Sequence, residues 1–163
     1  MFDDKQAWKK QSVRRDRKHE PLVDKLCSNK EGNKPVFTYI KDLMIFASMV
    51  GYSKKQRLAV GTENISIILE TYASDHKDAF VYLLALITEQ SGSILKDDHL
   101  TDAIKIFEEY CNAGLQEIQL WLDENPADHD AIDTIVDKIY SQVITNSKTR
   151  NLDDNSVEIE VSF

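Results

Sequence analysis

The chain has 163 residues, of which 42% are hydrophobic and 29% are charged, and its formal net charge is −8. A chain of this length and composition can bury the core of one domain and is too apolar to be disordered. The longest apolar run, Phe80 to Ile87, is far shorter than the roughly 18 residues of a membrane-spanning helix.

The beginning of the sequence and its cysteines indicate a compartment. The first residues lack the apolar run of a signal peptide, and there are only two cysteines, Cys27 and Cys111. At most one disulfide could form, so free thiols in a reducing environment are the simpler expectation. We therefore expect a cytoplasmic protein.

Charge is distributed unevenly along the chain. Residues 1–57 contain 14 Lys and Arg against 7 Asp and Glu, a net of +7, and residues 58–163 contain 6 against 21, a net of −15. This asymmetry predicts either a basic segment that meets an anionic partner or a basic segment that packs on the acidic body of the same molecule. The sequence leaves both alternatives open.

The N-terminal third is predicted to contain an arm and two helices. Residues 1–18 form a basic arm, because their cationic residues follow no apolar period. Pro21 suits the first turn of a short helix that ends near Cys27. A buried helix follows, with Thr38 as its N-cap and Gly51 as a left-handed C-cap, and a basic loop comes after it.

The middle of the chain is predicted to contain two further helices. Ile65 to Tyr72 is either a strand or one or two helical turns, because short apolar runs do not settle that choice. Ser74 or Asp75 can cap the next helix, whose apolar face begins at Phe80. The longest helix begins after Asp97 or Asp98 and carries one apolar stripe. Gly114 within this helix predicts a close helix crossing or a bend.

The last part of the chain is predicted to be a helix followed by a tail. Asp128 caps a helix that ends near Thr145, and the residues up to Ser156 are polar and acidic. Val157 to Phe163 alternates as a strand does. It could pair with Ile65–Leu69, pair with the sheet edge of a partner, or be frayed.

The predicted fold class is mainly α, a compact helical domain of about five helices. The strand patterns allow one small β strand pair near residues 65–70 and the C-terminus. Three regions are expected: a basic arm at 1–18, a helical domain at 19–145 and an acidic C-terminal tail with a strand-like end at 146–163.

The sequence carries no recognisable catalytic motif, such as a phosphate-binding glycine loop, a Cys-x-x-Cys pair or a nucleophile elbow. Three histidines follow an aspartate, and an aspartate at a helix N-cap explains each pair better than a metal or acid–base site does. Clustered carboxylates on the last helix are interpreted as its solvated face. We predict no enzymatic activity, no cofactor, no metal and no small-molecule substrate. The residues in question are Asp75-His76, Asp98-His99, Asp128-His129, Asp130, Asp133 and Asp137.

The basic residues are the strongest candidates for a binding site. Phosphate binding requires only positive charge within reach, and it is independent of base sequence. DNA phosphate, an acidic protein partner and the chain's own acidic body all remain open as the target. The predicted nucleic-acid or partner-binding residues are Arg14, Arg15, Arg17, Lys18, Lys54, Lys55 and Arg57.

Four blocks of the sequence carry a family resemblance. They are Arg14 to Glu20, Phe37 to Ala47 with Gly51 and Arg57, Leu83 to Leu86, and Ile106 to Leu115. Together these blocks resemble the small family called DNA phosphorothioation-associated protein 4, which is linked to Dnd sulfur-modification systems in bacteria. The resemblance extends from about Arg14 to Leu122.

The fourth block departs from the family pattern at two positions. The family tends to read Glu-Tyr-Ala-Asn-Gly-Gly-Leu, and here Cys111 and Ala113 replace the first Ala and the first Gly. Both changes exchange one small residue for another, as a close-packed crossing requires.

The resemblance implies a function without supplying a catalytic residue. It implies an accessory subunit of a DNA-modification-linked restriction system or another multi-gene antiviral defence complex. Such a subunit would contact larger protein components, and DNA contact is an option. The alternative is a stand-alone DNA-binding regulator that uses its basic arm. No membrane partner is expected.

Overall fold

The structure is a computed structural model that describes residues 4–28 and 34–154 of the chain. It is mainly α with one small antiparallel sheet, which confirms the predicted fold class. In chain order the elements are the 3-10 helix Asp4–Lys10, β1 Ser12–Asp16, the 3-10 helix Arg17–His19, α1 Glu20–Cys27, α2 Ile40–Ser53, β2 Asn64–Ile68, α3 Leu69–Ala73, α4 Ala79–Glu89, the 3-10 helices Gly92–Leu95 and Asp97–His99, α5 Leu100–Glu124 and α6 Ile132–Asp154.

The chain divides into two compact units, Met1–Leu120 and Trp121–Phe163. The first contains the sheet, α1 to α4 and most of α5, and the second contains the end of α5 and all of α6. No helix within the described ranges is long and apolar enough to cross a membrane. The domain boundaries predicted after residues 18 and 145 remain predictions.

The sheet joins two segments that the sequence pattern did not connect. β1 pairs with β2 in antiparallel register, from Ser12 opposite Ile68 to Asp16 opposite Asn64. β2 ends at Ile68 and α3 follows at once, so the ambiguous segment contains both a strand and a helical turn. β1 lies within the segment that was predicted to be an arm. The strand pattern is not evident there because a charged residue, Arg15, occupies one of its inward-facing positions. The C-terminal strand pattern at 157–163 lies outside the described residues.

The helices α2 and α5 cross at two glycines. A Cβ atom on Gly114 would lie 1.7 Å from the carbonyl oxygen of Ala47, and one on Gly51 would lie 2.1 Å from that of Tyr110. The predicted close crossing at Gly114 is therefore confirmed. The predicted C-cap role of Gly51 was wrong, because α2 continues to Ser53 and the left-handed residue is Lys55, with φ 54°.

The core of the first unit contains apolar side chains from α2, α4 and α5. Met44, Leu84, Phe107 and Leu115 have no solvent exposure, whereas Phe46 is half-buried. The apolar stripe of α5 therefore faces inward, as its spacing of three and four residues predicts.

Two predicted helix caps were wrong. α2 has Tyr39 rather than Thr38 at its N-cap position, without a side-chain hydrogen bond. α4 begins at Ala79, after Asp78, and the predicted cap Asp75 instead forms ion pairs with two lysines. An aspartate within reach of two ammonium groups is more strongly stabilised by them than by a helix end.

The second unit contains the last helix. The Asp128 carboxylate accepts a hydrogen bond of 2.8 Å from the backbone N–H of Thr134, which confirms its predicted capping role. α6 continues to Asp154, so the predicted end near Thr145 was wrong. Residues 146–154 lose the apolar period but contain neither Gly nor Pro, so nothing in them breaks a helix.

Candidate functional site

Arg14, the first predicted site residue, is bound to a carboxylate of its own chain. Its side chain lies on the exposed face of β1, and the carboxylate of Glu108, on α5, lies beside the edge of β1 that does not pair with β2. The backbone N–H, Nε and Nη2 of Arg14 donate to that carboxylate over 2.7, 3.1 and 3.2 Å. The hydrogen bonds and the charge of Glu108 raise the pKa of Arg14. Since Glu108 is only 2% exposed, Arg14 is the group that makes its burial tolerable.

Arg15 points into the first unit. Its side chain is 2% exposed, and Nη2 donates to the carboxylate of Glu20. Its Nε and Nη1 have no hydrogen-bond partner among the described residues. The guanidinium also lies near the thiols of Cys27 and Cys111 and lowers their pKa values, against a larger opposite effect of burial. Arg15 is therefore part of the interior and cannot contact a partner while β1 stays in place.

Asp16 and Asn112 form a buried hydrogen-bond network that the sequence analysis did not identify. The Asp16 carboxylate accepts from Asn112 Nδ2 over 2.9 Å and from the Gly61 N–H over 2.6 Å. Burial alone would raise the pKa of Asp16, but these hydrogen bonds and the nearby Lys18 lower it overall. The network joins β1, the loop after α2 and α5. A buried asparagine between apolar neighbours in a helix was the available sequence signal.

The first basic cluster consists of Arg14, Arg15, Arg17 and Lys18. Within it, Arg17 and Lys18 face solvent. They lie in the short 3-10 helix after β1. The Lys18 ammonium is 3.5 Å from the Asp16 carboxylate but its side chain is 55% exposed. Arg17 makes no ion pair with any part of the chain that the structure describes. His19 ends this helix and is buried, and burial, followed by the charge of Lys18, lowers its pKa.

The second basic cluster consists of Lys54, Lys55 and Arg57, and two of these cations form ion pairs with carboxylates of α5. Lys54 lies 2.8 Å from Glu117, and Arg57 lies 2.7 Å from Glu109. The Arg57 guanidinium also stands 5.6 Å from the centre of the Tyr110 ring. Together the two clusters place five of the seven predicted cations in ion pairs. Lys55 is exposed and, like Arg17, forms no ion pair within the described residues.

The candidate catalytic groups do not form a site in the described part of the chain. No group of three or more His, Cys, Asp and Glu side chains is close enough there to hold a metal ion. Burial raises the pKa of the Cys27 thiol to about 11 and that of the Cys111 thiol to about 12. Both thiols are therefore protonated at neutral pH, which is the unreactive form.

An apolar groove in the first unit is a further surface that the sequence analysis missed. It has a volume of about 600 Å³ and lies along α4 and the 3-10 helix Gly92–Leu95. The available sequence signal was α4 itself, which is apolar on more sides than one buried face needs. Its main lining residues are Phe80, Tyr82, Leu83, Leu86, Leu95 and His76.

In the second unit, α6 exposes an apolar set of its own. The exposed side chains are Ile132, Val136, Ile139 and Tyr140, between 40% and 66% exposed. Their spacings of four, three and one residues place them on one face of the helix.

A comparison with protein families identifies a match that covers most of the chain. The model of the family described as DNA sulphur modification system-associated protein 4 matches residues 12–156. The match includes β1, the Asp16–Asn112 network, the groove and all of α6. No significant match to the chain was found among curated proteins or among solved structures.

Proposed function

The chain belongs to the family of DNA sulphur modification system-associated protein 4, and from this we propose that it is a non-catalytic accessory protein of such a system. It acts by contacting larger protein components of a bacterial antiviral defence complex. The family description supports the association with DNA sulphur modification. The choice of protein contact over DNA contact rests on the structure of the basic residues.

The ion pairs of the basic clusters are the observation that carries this proposal. If Arg14 turned to a DNA phosphate, Glu108 would be left as a buried, unpaired carboxylate. Removing one partner of a fully buried ion pair costs roughly 3–5 kcal/mol. Because the Arg14 side chain is half-exposed, the cost of breaking this pair lies below that range. A phosphate contact would have to offset that cost before it added any affinity. The basic N-terminal segment is thus better suited to holding β1 on α5 than to binding DNA.

The exposed apolar surfaces support protein contact. The groove on α4 and the exposed face of α6 both present apolar side chains to solvent. Contiguous apolar surface of this kind is typical of protein interaction sites.

The proposal is tested by isolating the protein with its partners. The tagged full chain is expressed from its native locus, captured, treated with nuclease and washed at high salt. We expect a larger protein of the modification system to remain in stoichiometric amount, because an apolar interface resists salt. A chain that is recovered alone, or whose partner leaves with the DNA, would contradict the proposal.

DNA contact is a second candidate, because Arg17 and Lys55 have no ion pair among the described residues and Lys18 is mostly exposed. Three phosphate contacts would give binding that weakens with salt, with a slope of about −3 on logarithmic axes. Titration of duplex DNA at several salt concentrations measures that slope. The triple variant Arg17→Ala, Lys18→Ala, Lys55→Ala should then flatten it.

A further inference from the structure

The groove on α4 has the features of a helix-binding surface. Phe80, Leu83 and Leu95 are 38%, 46% and 45% exposed, so the groove is open to solvent rather than enclosed. Phe80, Leu83 and Leu86 stand at spacings of three residues on α4, and Leu95 of the following 3-10 helix lines the groove with them. An open apolar channel of this kind accepts the apolar face of an amphipathic helix. It offers few of the convergent polar groups that orient a small ligand.

The rim of the groove is acidic. Asp78 lines it at the beginning of α4, and Asp97 stands two residues after the lining residue Leu95. Burial raises the pKa of the Tyr82 hydroxyl, and the charges of Asp78 and Asp97 raise it further. Neither carboxylate forms an ion pair within the described residues. Lys96 is the nearby cation along the chain, and Asp97 and Asp98 outnumber it. The rim therefore favours a partner with positive charge beside its apolar face.

The neighbouring lysines do not change the sign of this rim. Lys77 precedes Asp78 in sequence, but its ammonium lies 2.6 Å from Asp42 and 3.1 Å from Asp75. Its charge is thus already balanced by two carboxylates. The carboxylate of Asp78 remains available to an incoming cation.

We propose that this groove, defined by Phe80, Leu83, Leu86 and Leu95 with the acidic rim Asp78 and Asp97, binds an amphipathic helix flanked by Lys or Arg on another protein. The proposal rests on the proposed function, since it names the kind of protein segment that the accessory protein contacts.

Charge favours a basic helix over two other possible occupants of the groove. The segment 157–163 of this chain has the apolar alternation to fill a groove, but it carries Glu158 and Glu160. A second copy of the chain would bring a net charge of −8 to the same rim. Like charges that approach an acidic rim weaken association, whereas a basic helix is attracted to it.

Two synthetic peptides test the proposal on the full chain. Both are about 15 residues long, or four helical turns, and carry leucines at positions i, i+3, i+4 and i+7. One has lysines at the remaining positions and the other has glutamates. Calorimetric titration should give binding of the lysine peptide that is about tenfold tighter or more. Equal affinity for the two peptides would overturn the proposal.

Substitutions locate the binding on the protein. Leu83→Asp should weaken binding of the lysine peptide about tenfold or more, because it places a carboxylate on the apolar wall. Leu120→Asp is the matched control, since Leu120 is 50% exposed on α5 and is not a groove residue. Asp78→Asn combined with Asp97→Asn should reduce the preference for lysine over glutamate. If Leu83→Asp and Leu120→Asp weaken binding equally, the peptide binds the acidic surface in general and the proposal fails.

Two further measurements separate this inference from the proposed function. Sedimentation of the wild type and of Leu83→Asp should show the same species for both. A dimer that Leu83→Asp dissociates would make a second copy the occupant and overturn the proposal. A native protein partner that co-purifies equally with wild type and Leu83→Asp would overturn the groove and leave the proposed function intact. Failure to isolate any partner with the wild type would count against the proposed function alone.

Discussion

Arg14 donates three hydrogen bonds to the buried carboxylate of Glu108, which lies 94 residues further along the chain. One residue thus attaches the first strand to the longest helix. The same cation looks from the sequence like a surface contact for DNA. Its role in the structure is to neutralise a buried carboxylate beside the edge of β1.

Replacement of Arg14 should therefore destabilise the protein. Arg14→Ala is expected to lower the free energy of unfolding by about 2–3 kcal/mol, because it leaves Glu108 charged and partly desolvated. Arg17→Ala, at an exposed neighbouring arginine without an ion pair among the described residues, should change it by less than about 0.5 kcal/mol. Denaturant titration of both variants measures the difference. Equal losses would mean that the Arg14–Glu108 pair contributes nothing to stability.

The crossing of α2 and α5 should tolerate no side chain at its glycines. Gly114→Ala is expected to cost about 3 kcal/mol or more, because the new methyl group meets the backbone of Ala47 and the helices must separate. Gly92→Ala is the control, since a Cβ atom there would meet nothing within 4 Å. Thermal unfolding followed by circular dichroism compares the two variants. A Gly114→Ala protein as stable as the control would contradict the crossing.

The core should be sensitive to loss of the Phe107 ring. Phe107 has no solvent exposure and packs edge-on against Tyr72, with ring centres 5.9 Å apart. Phe107→Ala is expected to cost roughly 3–5 kcal/mol of unfolding free energy. Phe80→Ala should cost less, because Phe80 is 38% exposed. A chemical-denaturation midpoint that Phe107→Ala leaves unchanged would mean that α5 faces outward.

Stability should depend on the protonation of His19. Burial lowers the pKa of this histidine in the folded state below the value of 6.5 that applies to the unfolded chain. The unfolded state therefore binds the proton more readily, so this contribution is present above pH 6.5 and is lost as the pH falls below it. Urea titrations between pH 7.5 and 5 span the usual pKa of histidine, about 6.5. They should show that the free energy of unfolding falls with pH in the wild type and falls less in His19→Gln. The exposed His129 gives the matched control, His129→Gln. The same slope in all three proteins would exclude His19 as its source.

Local patterns predicted the helices well and the long-range pairs poorly. The apolar spacing of α5 and the all-apolar run of α2 are local signals, so both helices and their core residues followed from sequence. β1 was interpreted as an arm because Arg15 occupies an inward position where the strand pattern requires an apolar residue. The partner of Arg15 is nearby in sequence, but that of Arg14 is not, and no local pattern relates Arg14 to Glu108.

The sequence identified the basic residues but not the ion pairs that most of them form. All seven basic residues lie in the described structure, yet five of them meet carboxylates of the same chain. The charge asymmetry of the sequence allowed this outcome as well as an anionic partner. The groove was missed because a run of apolar residues such as α4 looks buried on every side when its neighbours in space are unknown.

We propose that the protein works through protein contacts and that its basic residues are not the contact surface. The most direct measurement is the amount of native protein partner captured by the variant Arg17→Glu, Lys18→Glu, Lys55→Glu, which reverses the outward-facing cations and leaves the Arg14–Glu108 pair intact. The wild type provides the reference after nuclease treatment. We predict that the variant retains the partner at wild-type stoichiometry. Loss of the partner from a variant that remains folded would contradict the proposed function and assign the interaction to the basic residues.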